Sequence, residues 1–139
     1  MKAVLPSRAE GVVIGADTFL YFHGRVIGKP KTFAHACRML KELSGKSHWV
    51  YTGLCLRDVQ SGCLRTGFAK SKVTFRRLSP EAIARYVVRV HALDKAGGYA
   101  VQEDRGELIA KIEGSRTNVI GLPLELLKRQ LLLLKKNIC

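Results

Sequence analysis

The run Gly11-Val12-Val13-Ile14-Gly15-Ala16-Asp17-Thr18 constrains this chain more than any other segment. Val12 to Ile14 reads as a buried strand, and the small pair Gly15-Ala16 lets a second backbone or a ligand approach just before a lone carboxylate. The expectation is an acid at a strand's end, facing a crevice. In open α/β sheets, ligands bind in crevices outside the carboxyl ends of the strands. A capping or turning role for Asp17 accounts for the same segment, so the rest of the chain has to decide between the two.

The remainder alternates strands and helices. Thr18 to Phe22 is β-favouring, His23-Gly24 supplies a turn and Arg25-Val26-Ile27 returns, which predicts a hairpin. Thr32 is placed to cap a helix whose apolar face carries Phe33, Ala36, Cys37, Leu40 and Leu43, with Gly45 as the stop. Two long extended segments, about His48 to Arg57 and Leu64 to Arg77, join across Gln60-Ser61-Gly62 and read as half-buried antiparallel strands. Ser79-Pro80-Glu81 opens a helix to about Arg89 that buries Ile83, Tyr86, Val87 and Val90. The loop Leu93 to Tyr99 leads into an extended piece carrying Gln102, a last strand spans Leu108 to Ile112, and Pro123 opens a leucine-rich helix ending near Lys135. Its leucines belong to a core or an interface.

With 139 residues, 47% of them apolar and 25% charged, the chain has the length and composition of one α/β domain, residues 1–139. No stretch approaches the roughly 20 apolar residues a membrane span requires, and no signal-peptide layout opens the chain. No membrane partner is expected. Cys37, Cys55, Cys63 and Cys139 form no CxxC pair and no metal-ligand spacing with the four histidines. They read as reduced thiols of a cytoplasmic protein. Lys and Arg number 24 against 11 acids, a formal charge of +13. Such a field attracts polyanions without distinguishing a nucleic acid from a triphosphate. The basic residues are scattered, which argues against a basic tail and leaves a folded basic face open.

Asp17, Lys29, Asp94-Lys95, Gln102 and Lys111 with Glu113 fall at expected strand ends or in glycine-punctuated loops, where functional groups concentrate. Acids mixed with lysines suit a phosphate substrate with Mg²⁺, because carboxylates hold the metal or activate water while lysines neutralise phosphate oxygens. Each has an ordinary alternative: a lysine beside a proline is commonly just solvated, and Lys111 with Glu113 on one strand face makes a weak surface ion pair.

Taken in order, the segments Val13-Ile14-Gly15-Ala16-Asp17-Thr18, Gly28-Lys29-Pro30-Lys31, Met39-Leu40-Lys41-Glu42-Leu43-Ser44-Gly45, Val50-Tyr51-Thr52-Gly53, Leu93-Asp94-Lys95-Ala96-Gly97 and Lys111-Ile112-Glu113-Gly114-Ser115 through Asn118-Val119-Ile120-Gly121-Leu122-Pro123 resemble the Maf family of nucleoside triphosphate pyrophosphatases, related to the inosine triphosphate pyrophosphatases. The resemblance implies a mixed, partly antiparallel twisted sheet with flanking helices. It also implies hydrolysis of a nucleoside triphosphate to the monophosphate and pyrophosphate with Mg²⁺ or Mn²⁺. Asp17 matches the family's catalytic acid, the proton acceptor for the attacking water, and is the expected metal contact. Thr18 and Gln102 match positions tied to base choice, in the combination of the branch preferring dTTP and UTP. Lys29 matches a lysine near the phosphates, and Lys95 and Lys111 are expected as further contacts. A homodimer is a further expectation from the resemblance, and nucleic acid is not the expected partner.

Family members open with a strand and a phosphate-gripping Ser-x-Ser-x-Arg-Arg segment that this sequence does not contain. Lys2-Ala3 resembles a Lys-Ala pair on the family's second helix, so the fold is expected N-terminally truncated, with a sheet edge unpaired and part of the phosphate site absent. Two alternatives from other classes stay open: a catalytically impaired nucleotide-binding regulator of cell division, and a basic nucleic-acid-binding protein.

Overall fold

The computed structural model describes residues 10–139; the Lys2-Ala3 pair lies outside them. Five strands, β1 (Val12–Phe22), β2 (Arg25–Ile27), β3 (Ser47–Asp58), β4 (Leu64–Phe75) and β5 (Ile109–Glu113), form one sheet in the order β2-β1-β3-β4-β5. Helices α1 (Phe33–Leu43), α2 (Pro80–Val90), α3 (Arg116–Ile120) and α4 (Leu124–Lys135) flank it. The mixed α/β class holds, and every strand pairing among the described residues is antiparallel.

Local chemistry sets the helix bounds where it was expected to. The Thr32 side chain accepts from the His35 N–H, and the Ser79 side chain accepts from the Ala82 N–H with Pro80 next to it. Helix α1 buries Ala36, Leu40 and Leu43 completely, and α2 buries Ile83, Tyr86, Val87 and Val90. These pack on Leu20, Phe22, Val50, Val73 and Phe75 of the sheet to make the larger core. Each such leucine contributes roughly 2 kcal/mol by leaving water. A smaller core forms where α4 lays Leu126 and Leu134 against Leu54 and Leu56 of β3. Gly67 of β4 permits that approach: a Cβ there would stand 3.1 Å from the Gln130 amide nitrogen of α4.

The structure corrects three expectations. Asp17 does not end a strand: β1 runs through Gly15, Ala16 and Asp17 to Phe22, all paired to β3 up to Tyr21, because small residues lie flat in a ladder as readily as they break one. Gln102 sits in a 3-10 turn, Val101–Glu103, and not in a strand. Cys63 and Cys139 are joined in a disulfide, so only Cys37 and Cys55 are free thiols. The pair lies 76 residues apart and meets because α4 carries the C-terminus back over the turn between β3 and β4.

β1 meets β2 only at Leu20 to Phe22. From Val12 to Phe19 its outer edge is unpaired among the described residues.

Candidate functional site

Side chains of neighbouring strand residues point to opposite faces of a sheet. Thr18 stands directly across β3 from Thr52, which stands across β4 from Ala69, so these three share the helix-covered face. Asp17 stands across from Gly53 and points to the other face, where the absence of a side chain at Gly53 leaves the carboxylate exposed.

On the helix-covered face, a cavity of about 320 Å³ opens beside Thr18. Lys29, Lys95 and Gln102 line it with Thr18, and Tyr99 and Val119 are part of its wall. Residues from four separate stretches of sequence thus converge. Two of those stretches are tied together directly, because the Gly97 N–H donates to the Gly28 carbonyl at 3.0 Å and so holds the Lys29 and Lys95 loops side by side. Gly97 has φ +71°, and a Cβ there would collide with the Leu20 side chain of β1. Only glycine seats this loop on the strand. Gln102 is held from the other side: the buried Tyr86 hydroxyl of α2 donates to the Ala100 carbonyl and accepts from the Ala100 N–H, at 3.2 and 3.1 Å. Burial raises the Tyr86 phenol to about 12.

Beneath the cavity lies a set of hydrogen-bonded polar side chains, most of them buried. The Tyr99 hydroxyl lies 2.6 Å from His48 Nε2. Burial pushes the His48 imidazole down to about 4, so it is neutral near pH 7, and burial also drives the Tyr99 phenol well above its ordinary value. Thr18 Oγ1 and Thr52 Oγ1 are 2.8 Å apart, and the Thr52 hydroxyl donates to the Asn118 carbonyl at 3.1 Å. Asn118, fully buried in α3, donates its side-chain amide to the Val50 carbonyl and to Ser71 Oγ, both at 3.0 Å. Ser115 caps α3, and the Glu125 carboxylate accepts from the hydroxyls of Ser115 and Thr117, which lowers its pKa.

The fold does not bring Lys111 to the cavity. Its neighbour Ile112 packs on the core, so Lys111 points to the opposite face, exposed, with its ammonium 3.4 Å from Glu113. No group of three or more His, Cys, Asp or Glu side chains among the described residues is arranged to hold a metal. Asp17 is an exposed carboxylate on the sheet face away from the cavity. No helix among the described residues is long and apolar enough to cross a membrane.

A family model described as "Maf-like protein" matches residues 1–134. The chain belongs to the Maf-like family. It is 45% identical over 123 residues to a protein of Moorella thermoacetica named dTTP/UTP pyrophosphatase, covering 88% of this chain and 63% of that relative. Proteins of Clostridium tetani and Thermosipho melanesiensis bearing the same name are 40% and 43% identical over 84% and 86% of this chain, and 61% and 65% of their own lengths. The Maf-like chain therefore spans a little under two thirds of these relatives.

Sequence reasoning gave no role to Thr52, Asn118, Tyr99 or His48. Thr52 and Asn118 stand inside two of the segments that carry the resemblance, but a threonine in a strand and an asparagine in a short helix look ordinary until the register sets them side by side. His48 and Tyr99 are 51 residues apart, and no spacing links them.

Proposed function

We propose that this Maf-like chain carries the base-reading and catalytic part of a nucleoside triphosphate pyrophosphatase acting on dTTP, UTP or modified pyrimidine triphosphates. The convergence of Thr18, Lys29, Lys95 and Gln102 on one cavity carries the proposal. Thr18 and Gln102 meet the pyrimidine edge, where an amide pairs with both an acceptor and a donor. Lys29 and Lys95, side by side, neutralise the phosphates.

Asp17 lies on the other face of β1 from Thr18, and an edge of the strand that is unpaired among the described residues lies between them. A triphosphate whose base rests against Thr18 reaches Asp17 by crossing that edge. There the Asp17 carboxylate takes the proton of a water whose oxygen bonds to the α-phosphorus. The bond from that phosphorus to the oxygen bridging to the β-phosphate breaks, and pyrophosphate leaves with the bridging oxygen. Positioning and charge neutralisation account for most of catalysis in such transfers. The resemblance brings a requirement for a divalent cation, Mg²⁺ or Mn²⁺, and a cytoplasmic location belongs to the same reading. A homodimer belongs to the same proposal.

The test is pyrophosphate release from a panel of nucleoside triphosphates with Mg²⁺ or Mn²⁺, beside Asp17→Asn. Release from dTTP and UTP that the substitution lowers at least about 100-fold supports the proposal. Tight binding of UTP without release identifies a nucleotide-binding module instead, and no binding of any pyrimidine triphosphate overturns the reading.

A further inference from the structure

A hydroxyl has one proton to give, and a carbonyl oxygen has none. Thr52, fully buried on β3, places its Oγ1 within reach of two oxygens: the Asn118 carbonyl at 3.1 Å and Thr18 Oγ1 at 2.8 Å. Two buried oxygens in contact without a proton between them repel, so the Thr52 proton goes to the carbonyl. The contact with Thr18 is then made by the Thr18 proton. That leaves Thr18 Oγ1 with lone pairs only to offer the cavity it lines. The end of this relay is fixed, because Asn118 is clamped to β3 and β4 through Val50 and Ser71, and its carbonyl also takes the Gly121 N–H at 3.0 Å.

We infer that Thr52 is a positioning residue that makes Thr18 an obligate hydrogen-bond acceptor, and that this polarity selects pyrimidines whose ring nitrogen between the carbonyls carries a proton. Uracil and thymine donate from that nitrogen; cytosine presents a lone pair there and meets the lone pair of Thr18. The inference rests on the cavity being a pyrimidine triphosphate site. It goes beyond that reading by assigning the discrimination to a residue that does not line the cavity. A mismatch that leaves two facing acceptors unpaired in a sheltered site costs roughly tenfold to a hundredfold in affinity.

The experiment is calorimetric binding to this chain, with Mg²⁺, of the non-hydrolysable α,β-methylene analogues of UTP, N3-methyl-UTP and CTP, so that turnover is not needed. The expected result is binding of the UTP analogue at least about tenfold tighter than the other two. In Thr52→Val the Thr18 proton is released from its acceptor and can turn to cytosine. The ratio of UTP to CTP affinity should fall toward one while UTP affinity changes little, and Thr52→Ser should restore the ratio. A merely structural role would weaken both nucleotides alike. Equal binding of all three analogues by the unmodified chain overturns the inference and leaves the pyrimidine site standing, as does a ratio unmoved in a folded Thr52→Val. Should Thr52→Val fail to fold, the N3-methyl comparison on the unmodified chain decides. Binding of none of the three removes the pyrimidine site, and the inference with it.

Discussion

His48 Nε2 and the Tyr99 hydroxyl, 2.6 Å apart in the core, connect strand β3 to the wall of the cavity. The imidazole is also packed edge-on against the rings of Phe75 and Tyr99. Among the described residues no charged side chain hydrogen-bonds to it, and its Nδ1 has no partner. Protonation inside this environment is resisted, which is why burial pushes its pKa down to about 4.

The sign of the resulting pH dependence follows. Between the ordinary histidine value and about 4, the unfolded chain binds a proton at this position that the folded chain does not. Stability from this group is therefore complete above about pH 6.5 and falls on acidification, by roughly 3 kcal/mol near pH 4. Denaturant unfolding from pH 7 to 4, compared with His48→Gln, isolates this contribution: the variant should show a shallower acid loss.

Gly97→Ala should destabilise the chain by about 1–3 kcal/mol, because the new methyl meets the buried Leu20 side chain and the residue is held at φ +71°. The same change displaces the Lys95 loop from its bond to Gly28. Thermal unfolding measures the first effect, and a raised KM for UTP or dTTP measures the second.

The two lysines Lys95 and Lys111 should behave differently. Lys95→Ala, on the cavity wall, should raise KM roughly tenfold or more by removing a cation proposed to meet the phosphates. Lys111→Ala should leave KM within about twofold and cost less than about 1 kcal/mol, since it faces away from the cavity in an exposed ion pair. Steady-state kinetics on the two variants, side by side, tests the division.

Asn118→Ala should cost about 2–3 kcal/mol, because it removes two hydrogen bonds from a fully buried amide and leaves the Val50 carbonyl and Ser71 Oγ with a lost donor. Denaturant unfolding gives the value, and the variant should also loosen α3 from β3 and β4.

What was legible in the sequence is what short-range chemistry decides. Thr32 and the Ser79-Pro80 pair announce the starts of α1 and α2, Gly45 marks the stop of α1, and His23-Gly24 turns the hairpin. These signals need only a few neighbouring residues. Where the sequence misled, the deciding partner is remote. Gly15-Ala16 resembles a break, but ten pairings with β3 carry β1 straight through it. Gln102 follows alternating residues that suit a strand, but the Tyr86 hydroxyl, sixteen positions earlier by numbering, claims the Ala100 backbone groups that a ladder would use. α3 is five residues long, too short for a helical period to register. For the site, Lys29, Lys95 and Gln102 were legible from their loop and strand-end positions and Thr18 from the resemblance, but the face of β5 that holds Lys111 was not.

Asp17 and Thr18 are consecutive, so a shift of β1 against β3 by a single position would exchange them, bringing the carboxylate into the cavity and turning the hydroxyl outward. With buried Leu20 and Phe22 and the hairpin to β2 anchoring the far end of the strand, a one-residue deletion or insertion between Thr18 and Leu20 would therefore do more harm than many substitutions, because the two would trade duties with neither side chain altered. A two-residue change, which restores the alternation, is the gentler lesion for this strand.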